Sequence, residues 1–478
     1  MPTLRTLIGC YFAVCAAVAV ALPSIDPDLF WHLGVGRAAL AGEAITVEPW
    51  SWVAGGRPFF PHSIAHDALL ALLYDGGGLI AVSLLGALLG WAALLLLDRL
   101  TRLVVGADPV LRGAVLLIAA LLAAPVWSAR AQLYDLLGLL VTLLLLERVR
   151  RGGTPRLLLL LPPIAFAWSF LHGAGLLAGA SVVAVYLLER LIARDWRGAA
   201  TLLLSGLAAA VASLFTPLGP SLLLYPVETL ISPIQQAVIA EWQPLSIELP
   251  SGALLVGLLL VFIAFRLRPS TPRPIVLLAL AYGLMAAGSV RALLLAGPLV
   301  ALLLVPSIAA AIERIATELL RRRGASLAAT GLMRGGVVVV LLATAAFGAL
   351  RLAGSGNPAR LAADYPVAAA AALRDEGCTA NAVNSYGFGG YLIEATDLVV
   401  GHYGAADAFG DPLLADYVTY VSTLRADPAP YLAANKVELA VLPLESALTT
   451  HLVATGWSEW FADPTAVVLV APGADCRR

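Results

Sequence analysis

The chain has 478 residues, 60% hydrophobic and 13% charged, with a mean hydropathy of +0.88. Soluble globular chains carry about 25% charged residues, so this composition excludes one and points to a polytopic α-helical membrane protein. The formal net charge of −1 hides charges segregated along the chain, and nucleic acid is not an expected partner.

Eleven apolar spans are predicted, at about 5–23, 77–97, 110–127, 131–147, 157–171, 174–191, 199–215, 251–267, 274–290, 292–311 and 335–353. The first could pass for a signal peptide, with Ala19-Val20-Ala21 resembling a cleavage site. Ten further spans follow it, so it reads as a retained anchor. Pro162-Pro163 interrupts the fifth span, and several spans fall short of the ~20 residues of a straight crossing. Short, broken spans are common where helices line a cavity.

Arginine placement sets the expected orientation. With the N-terminus inside, nineteen arginines fall in inner loops, against four in the outer loops before the last span: Arg37, Arg57, Arg130 and Arg291. The N-terminus is therefore expected in the cytoplasm of a plasma (inner) membrane protein. The first loop, 24–76, a second loop, 216–250, and everything from 354 onward are expected outside. This divides the chain into a transmembrane domain, 1–353, and an extracytoplasmic domain, 354–478. The single lysine, Lys436, against 29 arginines reads as base composition and not as chemistry.

In the tail, helix-like and strand-like runs alternate. A helix is expected at Val367–Glu376 and strands at Ala380–Ser385, Leu398–Gly401 and Val437–Pro443. Helices at 412–424 and 446–455 and paired strands at Trp457–Ala462 and Ala466–Ala471 complete a small α/β layer. The glycine-rich run Ser385 to Leu392 lacks the spacing of a nucleotide fingerprint and reads as a tight turn into a helix. Cys378 and Cys476 can pair only in an oxidising compartment.

The densest chemistry lies in the first outer loop, Asp26-Pro27-Asp28-Leu29-Phe30-Trp31-His32-Leu33-Gly34-Val35-Gly36-Arg37. Hydrocarbon would not tolerate this cluster, so it faces water at a membrane surface or in a cavity. By the same topology Arg130, His172, Glu241 and Arg291 reach that face. Asp26 or Asp28 suits a general base, and with a histidine the pair could hold a divalent cation such as Mg or Mn. The arginines suit a phosphate, which guanidinium binds bidentately. Plain structural readings compete: Asp26 as an N-cap near Leu29, Asp28 as a first-turn acid, and His32 as a half-buried partner of Trp31. His62, His66 and Asp67 are expected on one interfacial helix, the histidines on one face. No cysteine or His-Glu motif completes a zinc site.

These residues resemble the GT-C superfamily of integral-membrane glycosyltransferases, which use polyprenyl-phosphate-linked sugars. The resemblance rests on the acidic motif Asp26-Pro27-Asp28 in the first outer loop, the eleven-span layout and the outer C-terminal domain. Shorter signatures resemble a bacterial membrane-protein set within or near that superfamily. They are Pro49-Trp50-Ser51 with Gly56-Arg57-Pro58, Arg130-Ala131-Gln132-Leu133, Trp168 to Gly173, Glu241-Trp242 and Phe388-Gly389-Gly390-Tyr391-Leu392. The resemblance implies a glycosyltransferase with a lipid-linked sugar donor, membrane lipid around it, and Asp28 or Asp26 as loop base or metal ligand. His32, Arg37, Arg130, His172, Glu241 and Arg291 are then expected to bind substrate. Two signatures depart: Thr216-Pro217-Leu218-Gly219 stands where the set has Asn-Pro-x-Gly, and Val400-Gly401-His402-Tyr403 where it has Asp-Gly-Arg. A lipid or solute transporter would show paired repeats around the midplane, which the sequence lacks. A non-catalytic envelope scaffold would make the loop carboxylates dispensable.

Overall fold

A computed structural model describes residues 3–22, 25–59, 61–173, 175–216, 218–223, 227, 231–264, 267, 269, 271–323 and 330–475, with side chains omitted at 312–335. Pro217, most of 224–230, Arg266, Arg268 and Cys476 lie outside the described residues. The chain is a polytopic α-helical membrane protein with a small C-terminal α/β region. It forms two compact units: Met1–Ser24 with Ser83–Leu223 and Glu241–Gly354, and Ile25–Val82 with Leu224–Ala240 and Ser355–Arg478.

The first unit is helical. It contains α1 (Leu4–Ala21), the later part of α3 (Ile64–Val104), α4 (Pro109–Ala123), α5 (Gln132–Arg150), α6 (Leu161–Leu171), α7 (Gly175–Ile192) and α8 (Trp196–Ser213). After α9 (Pro233–Val238), which belongs to the second unit, follow α10 (Pro250–Ala264), α11 (Arg273–Gly288), α12 (Leu293–Arg323) and α13 (Thr330–Ala353). Each of the eleven predicted spans has a helix. Among the described residues seven are long and apolar enough to cross a membrane, and shorter apolar helices occupy Pro155–Leu171, Pro250–Ala264 and Arg273–Gly288. The prolines act where the sequence places them. Pro155–Leu160 forms a 3-10 turn, and Pro162-Pro163 opens α6, where missing amide donors cost nothing.

Caps and small residues fix the packing. The Asp108 carboxylate accepts the Leu111 amide at 2.9 Å and Asp195 accepts Gly198 at 3.0 Å, starting α4 and α8. Gly9 on α1 and Gly113 on α4 sit so close to the opposing backbone that neither position has room for a Cβ. In lipid, where hydrocarbon burial gives little drive, such close approach is what holds helices together.

The second unit joins the first loop to the tail. α2 (Leu29–Leu40) and the start of α3 come from the loop. The tail supplies α14 (Pro358–Asp364), α15 (Val367–Asp375), β1 (Asn381–Asn384), α16 (Tyr386–Ala395), β2 (Val399–Val400) and α17 (Ala406–Asp416). Then come α18 (Ala429–Ala434), β3 (Val437–Leu442), α19 (Ala447–Ala454), β4 (Ser458–Ala462) and β5 (Val467–Val470). The sheet order is β2-β1-β3-β5-β4, parallel through β2, β1 and β3 and antiparallel beyond. The exposed edge of β2 is covered by the first loop: Trp52 N donates to Val400 O and Val400 N to Trp50 O, both at 3.0 Å. Ser51 Oγ adds a bond to Gly401 O at 2.6 Å.

Two details of the loop differ from expectation. His62 precedes α3 and is not helical, so His62 and His66 share no helical face. The expected end of the loop at the glycine run falls at a kink inside α3. Helix runs through Asp75-Gly76-Gly77 and breaks at Gly78 (φ 59°), a conformation glycine adopts without a Cβ penalty, so the glycine run separates two helical pieces of α3.

Candidate active site

The second unit gathers a cluster of acidic side chains at the N-terminus of α2. Asp26 is 6% exposed, and its Oδ1 accepts the Asp28 amide at 2.8 Å, which fixes the turn. Asp28 then occupies the N-cap position but makes no capping bond with its side chain. The Asp26 side chain thus holds the amide of the N-cap residue, and the Asp28 carboxylate points at Gly404, where it takes the space of a Cβ. Trp31 Nε1 lies 3.0 Å from the same point.

One turn on, His32 stacks on Trp31 with ring centroids 3.7 Å apart, and its Nδ1 lies 2.8 Å from Asp67 Oδ1. Asp67 also accepts Ser63 Oγ at 2.8 Å. Burial opposes charge on His32, but the carboxylates of Asp67, Asp28 and Asp26 outweigh it, and the pKa rises. α17 brings Asp407 to this group, 3.9 Å from His62 Nδ1. Burial pushes its carboxyl up to about 6, against backbone bonds and the pull of His32, with Asp28 adding to the rise. Asp407 and Asp67 were not singled out as catalytic from sequence. In the sequence Asp67 reads only beside His62 and His66, and Asp407 sits in a plain Ala-Asp-Ala run.

The Val400-Gly401-His402-Tyr403 segment is structural. His402 is 1% exposed, its Nε2–H donates to Leu413 O at 3.1 Å, and burial lowers its pKa to about 4, so the ring is neutral. Tyr403 is fully buried and donates to Glu48 Oε1 at 3.0 Å. Arg37 is also engaged within the protein. It bridges Asp75 at 2.7 Å and takes Glu394 bidentately at 2.7 and 2.9 Å. That geometry ties the loop to α16 and neutralises the guanidinium.

The first unit brings three expected residues together. Glu241 pairs with Arg130 through a short hydrogen bond and with Arg291 at 3.6 Å, and Arg291 lies 5.4 Å over the Trp242 ring. Two guanidinium groups thus converge on a single carboxylate. His172 forms a separate buried group with a residue that sequence reading missed. Its Nδ1 lies 2.7 Å from Asp135 Oδ2, while Trp168 Nε1 donates to Asp135 Oδ1 at 2.8 Å. The available signal was the acid itself, since a carboxylate inside a predicted span demands a partner.

A divalent cation needs several oxygen ligands converging on one point. Among the described residues no three His, Cys, Asp or Glu side chains are arranged to hold one, and Asp26 is committed to its turn. The donor set around Asp28 therefore does not fit the expected cation.

No family model and no curated protein sequence matches the chain. Its fold matches the archaeal oligosaccharyltransferase AglB of Archaeoglobus fulgidus, solved with an inhibitory peptide and a dolichol-phosphate. The two share 12% identity over 91% of this chain and 69% of that one, at a TM-score of 0.57. The Archaeoglobus fulgidus oligosaccharyltransferase tethered to an acceptor peptide containing the NVT sequon matches at 13% identity and TM-score 0.55, and its apo form at 12% and 0.53. Coverage is again 91% and 69% for both. At this identity the likeness establishes a GT-C-like fold.

Proposed function

We propose that the chain is a glycosyltransferase moving a sugar from a polyprenyl-phosphate-linked donor to an extracytoplasmic acceptor. One observation carries the reading. The chain has an oligosaccharyltransferase-like fold over 91% of its length, and its first loop presents a carboxylate, Asp28, at a helix start that its neighbour Asp26 has already fixed. On this reading Asp28 takes the proton from the acceptor nucleophile, which forms a bond to the anomeric carbon. The bond from that carbon to the phosphate oxygen breaks, and the polyprenyl phosphate leaves with the electron pair. Attack from the opposite face inverts the configuration. Within the first unit, Arg130 and Arg291, both paired with Glu241, are the guanidinium groups suited to bind a phosphate.

The arginine distribution supports a cytoplasmic N-terminus in a plasma membrane, with 354–478 as an extracytoplasmic domain and 1–353 as the membrane domain. The disulfide at Cys378 agrees, since such bonds persist in oxidising compartments. The shared short signatures support a place within or near the bacterial set.

The test is transfer from a radiolabelled polyprenyl-phosphate sugar in membranes carrying wild type, Asp28→Asn or Asp26→Asn. Asp28→Asn should abolish transfer with the fold intact, and Asp26→Asn should lower it through the displaced turn. Wild-type transfer in both variants would remove the mechanism.

A further inference from the structure

The cluster at α2 holds buried hydrogen-bonding groups that the protein does not satisfy. Trp31 is 2% exposed, yet its Nε1–H has no hydrogen-bond partner, and it is aimed at Gly404 beside the Asp28 carboxylate. Asp67 is fully buried; its Oδ1 is taken by Ser63 and His32, while Oδ2 has no hydrogen-bond partner. The Tyr386 hydroxyl is also buried without one. It lies near enough to Asp28 and Asp407 that, after burial itself, their charges raise its pKa. These orphans come from three elements, α2, α3 and α16. An unpaired buried polar group costs about 1–3 kcal/mol, and three gather around Asp28: Trp31 Nε1 beside its carboxylate, Asp67 through the His32 ring stacked on Trp31, and Tyr386 within reach of its charge.

The required chemistry is restrictive. Trp31 can only donate, Asp67 Oδ2 can only accept, and Tyr386 can do either. An ammonium offers donors alone and would leave Trp31 unpaired. A phosphate or carboxylate offers acceptors alone, and it would meet Asp26, Asp28, Asp67 and Asp407. Among the described residues the imidazoles of His32, His62 and His66, the last with its ring centroid 6.4 Å from that of His32, and the nearby Arg57, whose guanidinium lies 3.8 Å from the Cβ position of Gly410, stand against these four acids. A peptide amide offers both roles, but at one planar end, which cannot serve groups arriving from three elements. A hydroxyl donates and accepts at once, and a ring of them does so in several directions.

Resting on the reading that Asp28 activates the acceptor, we infer that this cluster binds an uncharged, polyhydroxylated acceptor, a neutral sugar, through Trp31, Asp67 and Tyr386. One hydroxyl faces Asp28 and the others complete the three orphaned groups.

Binding without any donor separates this inference from the transferase reading. Full-length protein in nanodiscs would be titrated calorimetrically with neutral trisaccharides of glucose, mannose and galactose. Their uronic-acid counterparts and an acetylated Asn-Val-Thr peptide amide serve as comparators. At least one neutral trisaccharide should bind more tightly than either comparator. Tyr386→Phe and Asp67→Asn should each weaken it about three- to tenfold, the scale of one hydrogen bond. Tyr386→Phe removes a single oxygen and should leave the melting temperature unchanged. The inference fails if no neutral trisaccharide binds up to its solubility limit, if the uronate or peptide binds better, or if both variants bind like wild type. Sugar binding without transfer from a lipid donor would sink the transferase reading alone, and transfer to the peptide would sink this inference alone.

Discussion

Gly404 gives the sharpest test of the Asp28 assignment, because the perturbation moves the carboxylate without touching it. A Cβ at Gly404 would overlap Asp28 Oδ1 and press on Trp31 Nε1 at 3.0 Å. Ordinary contact begins at 3.4 Å, so in Gly404→Ala the carboxylate must retreat by well over an ångström. The backbone of Gly404 is not in the left-handed region, so alanine adds no conformational strain, and the atom in the way ends a flexible side chain. Stability should therefore fall by no more than about 1 kcal/mol. A displacement of 1 Å at a reacting group costs roughly 100-fold in rate, or about 2.7 kcal/mol of barrier. Radiolabelled transfer in nanodiscs, read beside a thermal melt, measures both. Gly389→Ala is the contrast, since its Cβ meets the rigid His402 carbonyl, so melting temperature and transfer should fall together. Wild-type transfer in a well-folded Gly404→Ala would refute the placement of Asp28 at the reaction centre.

Three further outcomes are expected. Arg291→Lys loses the fork and the contact with Trp242, so KM for the lipid donor should rise about tenfold with kcat little changed; an unchanged KM assigns the phosphate elsewhere. Arg37→Met leaves Asp75 and Glu394 facing each other; after solvent screening of a side chain 41% exposed, the loss should be about 1–2 kcal/mol in a chemical melt. Its transfer rate should follow only the folded fraction, and a larger rate loss would put Arg37 back in the site. The two titrating groups act in the same sense, each with a raised pKa in the folded state and each losing stability as pH rises, over different windows. The Asp407 pKa, about 6 against 3.8, makes the folded state hold the extra proton, so stability falls as pH rises from about 4 through 6. Asp407→Asn should then melt higher than wild type near pH 8 but not near pH 4. The raised His32 pKa contributes stability present below 6.5 and lost as pH climbs through its folded value. His32→Gln should therefore lose more near pH 5.5 than near pH 9.

The spans were legible because hydropathy over ~20 residues is set by the solvent and not by partners. The tail was legible because β-branched runs alternate with alanine-rich helices. Loop parity groups Arg130, His172, Glu241 and Arg291; three of them meet around Glu241, while His172 pairs with Asp135 instead. What escaped was pairwise. Nothing local announces that Arg37 will meet Glu394, 357 positions away, or that Glu48 will receive Tyr403. Asp135 and Asp407 escaped for different reasons: one is a lone acid among leucines, the other a lone acid among alanines. His62 was misread because spacing alone put it on a helix that begins two residues later.

The scattered signatures have a common physical cause in the second unit. Phe30 packs edge-on to Tyr365 at 5.2 Å and Tyr391 at 4.9 Å. Gly390 lets α16 approach until the Pro27 carbonyl stands 3.3 Å from its Cβ position and the Trp31 ring 3.6 Å. Pro49-Trp50-Ser51 lies along β2 through backbone bonds, and Trp52 Nε1 reaches Ala382 O at 2.9 Å. The glycine-rich run is therefore a packing face for the first loop. A loop of about fifty residues carrying two carboxylates would otherwise be mobile and strongly hydrated, and a mobile base gains little from proximity. Folding the tail onto it fixes Asp28 from both sides, by the Asp26 turn in the chain before it and by Trp31 and Gly404 across from it. That is why motifs some 370 positions apart accompany one another in a single chain: the tail's packing residues hold the geometry that the loop's chemistry requires.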